Sequence, residues 1–134
     1  MNFLYKLFFS NGGNRMLDKL LKITVLYDFY GALLTDKQQS CLEMHFLQDF
    51  SLSEIADQLG VSRQAIYDII HRSEQVLLEY EQKLKLIERY HSEKNELKNI
   101  LDIMSDLPKN VQDIPEFQDV LIKLSHLIGD SKEA

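Results

Sequence analysis

Residues 52–68 read LSEIADQLGVSRQAIYD and carry the clearest structural signal of the chain. Ser51 and Glu54 have the Ser-x-x-Glu spacing of a capping box, which predicts that a short helix starts there. Gly60 follows this helix at the position where a left-handed residue closes a helix, and Ser62 is a good N-cap for the next helix. Two helices joined by a short turn that contains glycine predict a helix-turn-helix.

The second helix of this pair is predicted to place its polar residues on one side. At about 100° per residue, Arg63, Tyr67 and Arg72 fall on one half of the helix, and Ile66 and Ile70 fall on the other. Arginine can bind guanine with two hydrogen bonds, glutamine can bind adenine, and a helix N-terminus can hold a phosphate. The residues that we predict to contact nucleic acid are Lys37, Gln38, Ser62, Arg63, Gln64, Tyr67, Asp68 and Arg72.

Apolar residues recur at every third and fourth position along the rest of the chain, which predicts an all-α protein. The first helix is expected over residues 17–32 and is apolar nearly all round, so we expect it to be buried. Thr35 and Gln38 form a second capping box, which predicts another helix start. Pro115 is expected to begin a C-terminal amphipathic helix. We therefore predict a loosely attached extension at residues 1–15, a helix-turn-helix domain at 16–90 and a C-terminal helical segment at 91–134.

The fourth helix is predicted to extend far beyond the helix-turn-helix, with a stutter or a break near Tyr90 to Asn95. A heptad stripe supports this length, and two explanations of the stripe stay open: packing within the chain, or the seam of a homodimer through the long helix. The members of the stripe are Ile66, Ile70, Ser73, Leu77, Tyr80, Leu84 and Ile87.

Composition and charge bound the function. The 134 residues are 45% hydrophobic and 27% charged, as in ordinary globular proteins, and no apolar run is long enough to span a bilayer. A single cysteine, Cys41, cannot form a disulfide framework, which favours a cytoplasmic setting. The net charge of −6 opposes indiscriminate binding of nucleic acid. Lys19 and Lys22 of the first helix are therefore expected to supply additional phosphate contacts.

The residue pattern does not support catalysis, and we predict no catalytic residues, no metal site and no cofactor. His71, His91 and His126 have no neighbours at ligand spacing, and His45 lies on an apolar arc where a hydrogen-bonded, partly buried side chain is expected. Cys41 lies among apolar residues that would not lower its pKa, and no glycine-rich phosphate loop follows a strand.

Residues 52–68, with Leu33-Leu34-Thr35-Asp36-Lys37-Gln38 upstream, resemble the YlxM family of Gram-positive bacteria and mycoplasmas. The resemblance covers about residues 24–90 and implies a DNA-binding helix-turn-helix similar to region 4 of sigma factors. Genes of this family lie beside those for the signal recognition particle GTPase and its receptor, which implies the particle's RNA and GTPase as partners. The chain departs from sigma-factor recognition helices by having fewer basic residues and by placing Asp68 on the polar face.

The sequence thus favours a non-enzymatic accessory or regulatory protein that binds duplex DNA or signal recognition particle RNA. The alternative is an adaptor that does not bind DNA and contacts the signal recognition particle GTPase or its RNA through acidic C-terminal helices. Residues 74–134 carry a net charge of −5, with eight basic and thirteen acidic side chains, and this acidity favours the alternative.

Overall fold

The computed structural model describes residues 15–129, so the extension predicted at residues 1–15 lies outside the described residues except for Arg15. Helices dominate this part of the chain and no β-strand occurs in it, which confirms the all-α prediction. None of the helices within residues 15–129 is long and apolar enough to cross a membrane. The helices are α1 (Arg15–Tyr30), α2 (Asp36–Leu42), α3 (Leu52–Leu59), α4 (Arg63–Leu84), α5 (Leu86–Ser105), α6 (Lys109–Gln112) and α7 (Pro115–Gly129).

The described residues divide into two compact units, 15–87 and 88–129. The first unit contains the helix-turn-helix and a hydrophobic core to which α1, α2, α3 and α4 all contribute. The predicted domain boundary at residue 90 stays a prediction. The largest fully buried side chains of the first unit are Leu26, Tyr30, Leu42, Ile55, Ile66, Leu77 and Ile87.

Helix α1 is buried only along part of its length. Val25 and Leu26 are almost fully buried, but Leu17 and Leu20 near the start of the helix are 50% and 37% exposed. The expectation that α1 would be buried all round is therefore wrong for its first turns, where these leucines line the wall of an open groove instead.

Both predicted capping boxes are present. The Gln38 amide donates to Thr35 Oγ1 over 3.2 Å, and the Thr35 amide donates to Gln38 Oε1 over 3.0 Å. The Glu54 amide donates to Ser51 Oγ over 3.1 Å, and the Ser51 amide donates to Glu54 Oε1 over 3.3 Å. Each box satisfies amides that the first turn of a helix leaves without partners, so the starts of α2 and α3 are set locally.

A wide turn connects α2 to α3. Residues 43–47 form a single π-helical turn, in which the Gln48 amide donates to the Glu43 carbonyl over 3.0 Å. Asp49 then adopts a left-handed conformation with φ of 58°. His45 Nδ1 lies 2.9 Å from the Phe50 carbonyl oxygen. Because a carbonyl only accepts, this contact places the proton on Nδ1, and the prediction of a hydrogen-bonded, partly buried His45 is confirmed.

The long helix ends earlier than predicted. Lys85 is left-handed, with φ of 54°, and it separates α4 from α5. Helix α5 runs without interruption from Leu86 to Ser105, so of the two alternatives predicted near Tyr90 to Asn95 the break is wrong. The amides released by the break find partners in the interior: the Leu86 amide donates to Tyr30 Oη over 3.1 Å, and the Ile87 amide donates to Glu81 Oε1 over 3.0 Å. A side chain from α1 therefore supports a chain break that the heptad spacing does not reveal.

The heptad stripe of α4 packs within the chain. Ile66, Ser73 and Leu77 have no exposed surface, and Ile70 is 6% exposed. Packing within the chain thus accounts for this part of the stripe, and a homodimer seam through α4 receives no support from the structure.

The second unit is a helical hairpin in which α5 and α7 run in opposite directions. Lys94 Nζ donates to the Leu127 carbonyl, which pairs the first half of α5 with the last turn of α7. Gln112 Nε2 donates to the carbonyls of Ser105 and Leu107 over 2.9 Å and 2.7 Å, and these bonds fix the connection. The half-buried apolar side chains recur on one side of each helix, and we infer that they form the seam of the hairpin; they include Leu97, Leu101 and Met104 on α5 and Phe117, Leu121 and Leu124 on α7.

Candidate nucleic-acid interface

Three residues join α3 to α4. Gly60 closes α3 in the left-handed conformation, with φ of 67° and ψ of 33°. The Val61 amide then donates to the Ala56 carbonyl over 3.1 Å. Ser62 is extended, and its hydroxyl accepts the Ala65 amide over 3.1 Å, which starts α4. The predicted helix, glycine turn and second helix are thus all present.

Replacing Gly60 tests the turn. We expect Gly60→Ala to lower the free energy of unfolding by about 1 kcal/mol, because an L-residue with this φ is strained. A Cβ atom at Gly60 would meet nothing within 4 Å, so the loss comes from the backbone alone. Urea unfolding measures it, with Gln58→Ala on the exposed side of α3 as the control. Equal stabilities of the two variants would contradict a strained turn.

Helix α4 exposes its predicted polar face. Arg63, Gln64, Tyr67, Asp68 and Arg72 are all exposed, whereas the isoleucines on the other side are buried in the core. The amphipathic division of the helix therefore agrees with the predicted one. The contact of these five side chains with nucleic acid stays a prediction.

Two pairs of side chains one helical turn apart organise this face. Gln64 Nε2 donates to Asp68 Oδ1 over 3.0 Å. The Tyr67 and His71 rings stack with 6.0 Å between their centroids and 2° between their planes. His71 is exposed but was not among the predicted contact residues, although its spacing of four from Tyr67 places it on the same side. The face is therefore partly pre-arranged by its own side chains.

The other predicted contact residues have local roles in the structure. Gln38 is half-buried and holds the Thr35 capping box, and the Ser62 hydroxyl caps α4. Lys37 is exposed in the first turn of α2. Lys37 and Gln38 thus lie on α2, whereas Ser62 directly precedes the α4 face, and any role of the three in nucleic-acid binding stays a prediction.

The structure places one of the two expected basic residues of α1 beside α4. Lys19 Nζ lies 3.6 Å from Glu74 Oε2, and the Glu74 side chain is only 9% exposed. The Glu74 carboxylate of α4 therefore partly neutralises the charge of Lys19. This ion pair weakens the attraction that Lys19 could exert on a phosphate group. Lys22 is half-buried in the same helix.

An open groove of about 630 Å³ runs beside the exposed face of α4. It is mainly apolar, and two of its lining residues, Tyr67 and His71, belong to the polar face. Sequence periodicity does not reveal such a groove, because its walls come from separate elements. The other apolar lining residues include Leu17, Leu20, Phe46 and Leu52.

The possible metal ligands and the single cysteine were two further features of the sequence, and the structure places both. Within residues 15–129, no group of three or more His, Cys, Asp or Glu side chains could hold a metal ion. Cys41 is buried, and this burial raises the pKa of its thiol, an effect that the charge of Lys37 partly opposes. A thiol of this kind is a poor nucleophile at neutral pH.

Two capped helices, a left-handed glycine between them and an exposed polar face on the second helix define a helix-turn-helix protein. The sequence profile described as "Putative helix-turn-helix protein, YlxM / p13 like" matches residues 17–117. The chain belongs to this family, UPF0122. Membership indicates nucleic-acid binding as the class of function.

Curated relatives agree with this assignment. The chain is 51% identical over 80 residues to a UPF0122 protein of Shouchella clausii, a match that covers 60% of this chain and 73% of the relative. It is 46% identical over 90 residues to a UPF0122 protein of Geobacillus kaustophilus, covering 67% and 82%. It is 42% identical over 108 residues to the YlxM protein of Bacillus subtilis, covering 81% and 97%.

Proposed function

We propose that this protein is a non-enzymatic accessory or regulatory factor that binds duplex DNA through the exposed face of α4. One observation carries the proposal: Arg63, Gln64, Tyr67 and Arg72 are exposed together on the helix that follows the glycine turn. This is the helix that enters the major groove in helix-turn-helix proteins, where arginine and glutamine read base edges.

Charge limits how such a face can bind. Residues 35–73 contain three basic and six acidic side chains, so the net charge of the segment is −3. Each phosphate contact needs a cation, and Arg63 and Arg72 are the two cations of the α4 face. We therefore expect modest affinity that depends strongly on these two arginines, and weak binding to DNA of arbitrary sequence.

On the basis of the resemblance to the YlxM family, we further propose that the protein is located in the cytoplasm and takes part in the signal recognition particle pathway. Signal recognition particle RNA is then the competing ligand of the same α4 face. The second candidate function is an adaptor that contacts the particle's GTPase, and the acidity of residues 74–134 favours it. A titration that compares RNA with DNA separates these possibilities.

A fluorescence-anisotropy titration tests the proposed interface. Labelled signal recognition particle RNA and labelled duplex DNA are titrated with the full chain at low and moderate salt, with random duplex DNA as competitor. We expect Arg63→Glu to weaken binding about tenfold or more, because it removes a contact and adds a repulsive charge. The dependence of affinity on salt should fall by about one counterion.

Lys83→Glu is the matched control. It makes the same change of charge in the last turn of α4, twenty residues from Arg63 and on the opposite side of the helix. If Arg63→Glu and Lys83→Glu lost affinity for nucleic acid equally, the loss would be explained by the change in net charge. That result would contradict the α4 face as the interface. RNA binding that survives both salt and DNA competitor would favour the targeting pathway, and no binding to either nucleic acid would favour the adaptor.

A further inference from the structure

The helical hairpin at residues 88–129 exposes several large apolar side chains. Its seam is only half-buried, and no residue of this unit is fully buried. Ile100, Ile103, Val120 and Leu127 lie outside the seam and are between 38% and 66% exposed. We name these four residues the outer apolar face. Contiguous exposed apolar surface of this kind is typical of a site that binds another macromolecule.

The four residues fall on one side of the hairpin. Relative to the seam, Ile100 and Ile103 are rotated by about 60° to 120° around α5, and Val120 and Leu127 by about 60° to 80° around α7, all in the same sense. The two helices run in opposite directions and face each other at the seam. A rotation of the same sign about each helix axis, counted from its N-terminus, therefore points the side chains of both helices to the same side of the hairpin. The outer apolar face is therefore continuous across α5 and α7.

Acidic residues flank this face. Glu96 lies one turn before Ile100, and Glu116 lies one turn before Val120. Lys123 is the basic residue within the face on α7, and Arg89 of α5 is paired with Glu93 over 3.0 Å. Residues 88–129 as a whole contain eight acidic and five basic side chains, which is a net charge of −3.

We propose that the outer apolar face binds an amphipathic basic helix of another protein. An amphipathic helix places an apolar side against such a surface, and its flanking lysines and arginines lie close to Glu96 and Glu116. A second copy of this chain fits less well, because its own acidic residues would meet these carboxylates and each chain carries a net charge of −6. The proposal is independent of nucleic-acid binding by α4.

A fluorescein-labelled synthetic helix with leucines on one side and lysines on the other tests the proposal with the full chain. We expect Ile103→Asp and Val120→Asp each to weaken binding about tenfold or more, because each places a charge within the apolar contact. Ser125→Asp is the matched control, since it adds the same charge to an exposed position of α7 on the other side of the seam. Circular dichroism confirms that the variants are folded.

The sign of the effects separates the proposal from general attraction between opposite charges. Each of the three substitutions makes the chain more acidic, so general attraction would strengthen binding of the lysine peptide in all three. Equal affinities for the three variants would overturn the proposal. Equal binding of a peptide with glutamates in place of the lysines would also overturn it, as would a dimer in sedimentation that Ile103→Asp dissociates.

Discussion

Glu81→Ala is expected to lower the free energy of unfolding by about 3 kcal/mol. Glu81 is 8% exposed, and its Oε1 accepts hydrogen bonds from Tyr30 Oη over 2.5 Å and from the Ile87 amide over 3.0 Å. Removing the carboxylate leaves two buried donors without this partner, and each such donor costs about 1–3 kcal/mol. Tyr30 has no exposed surface, so water cannot easily replace the lost acceptor.

Urea unfolding followed by circular dichroism measures this loss, with Glu79→Ala as the matched control. Glu79 is an exposed residue two positions earlier in α4, and its replacement changes the charge and the helix propensity in the same way. We expect the control to stay within about 0.5 kcal/mol of the parent chain. A loss for Glu81→Ala no larger than that of the control would show that this buried network does not stabilise the first unit.

Raising the pH is expected to destabilise the protein through two tyrosines. Burial, and then the hydrogen bond to Glu81, raises the pKa of Tyr30 to about 12. Burial, and then the hydrogen bond to Glu43, also raises the pKa of Tyr27 to about 12. In the unfolded chain a tyrosine has a pKa of about 10. The folded state therefore holds these protons more tightly, and the resulting stability is complete below pH 10.

This stability is lost as the pH rises from about 10 through 12, and the share of Tyr30 is on the order of 2 kcal/mol. Urea unfolding at a series of alkaline pH values measures the loss. Tyr30→Phe is expected to be less stable than the parent chain at neutral pH, but its free energy of unfolding should fall less steeply as the pH rises. Tyr27→Phe is expected to show the same two changes to a smaller extent. A double variant whose decline matches that of the parent chain would contradict this account.

The starts of α2, α3 and α4 and the end of α3 could be predicted because they depend on neighbours in sequence. A capping box needs residues only three positions apart, and Gly60 adopts its left-handed conformation without requiring any distant contact. The break at Lys85 could not be predicted in the same way. It is supported by Tyr30, which lies more than fifty residues away in sequence, while the heptad pattern continues unchanged through Leu84 to Ile87.

Some features of the candidate interface could be predicted from local sequence spacing, and others could not. The exposure of Arg63 and Arg72 follows from helical periodicity, and the Gln64–Asp68 pair follows the familiar spacing of four. The ion pair between Lys19 and Glu74 joins two helices, so no local pattern indicates it. The groove beside α4 depends in the same way on the packing of distant segments.

The π-helical turn at residues 43–47 makes the number of residues between two helix starts important. Its hydrogen bonds span five residues rather than four, and the Phe50 amide even reaches the Met44 carbonyl, over 2.8 Å. Such a turn takes up one residue more than an α-helical turn, so an α-helix in its place would need one residue fewer. The number of residues between the Thr35 and Ser51 capping boxes is therefore matched to this wide turn.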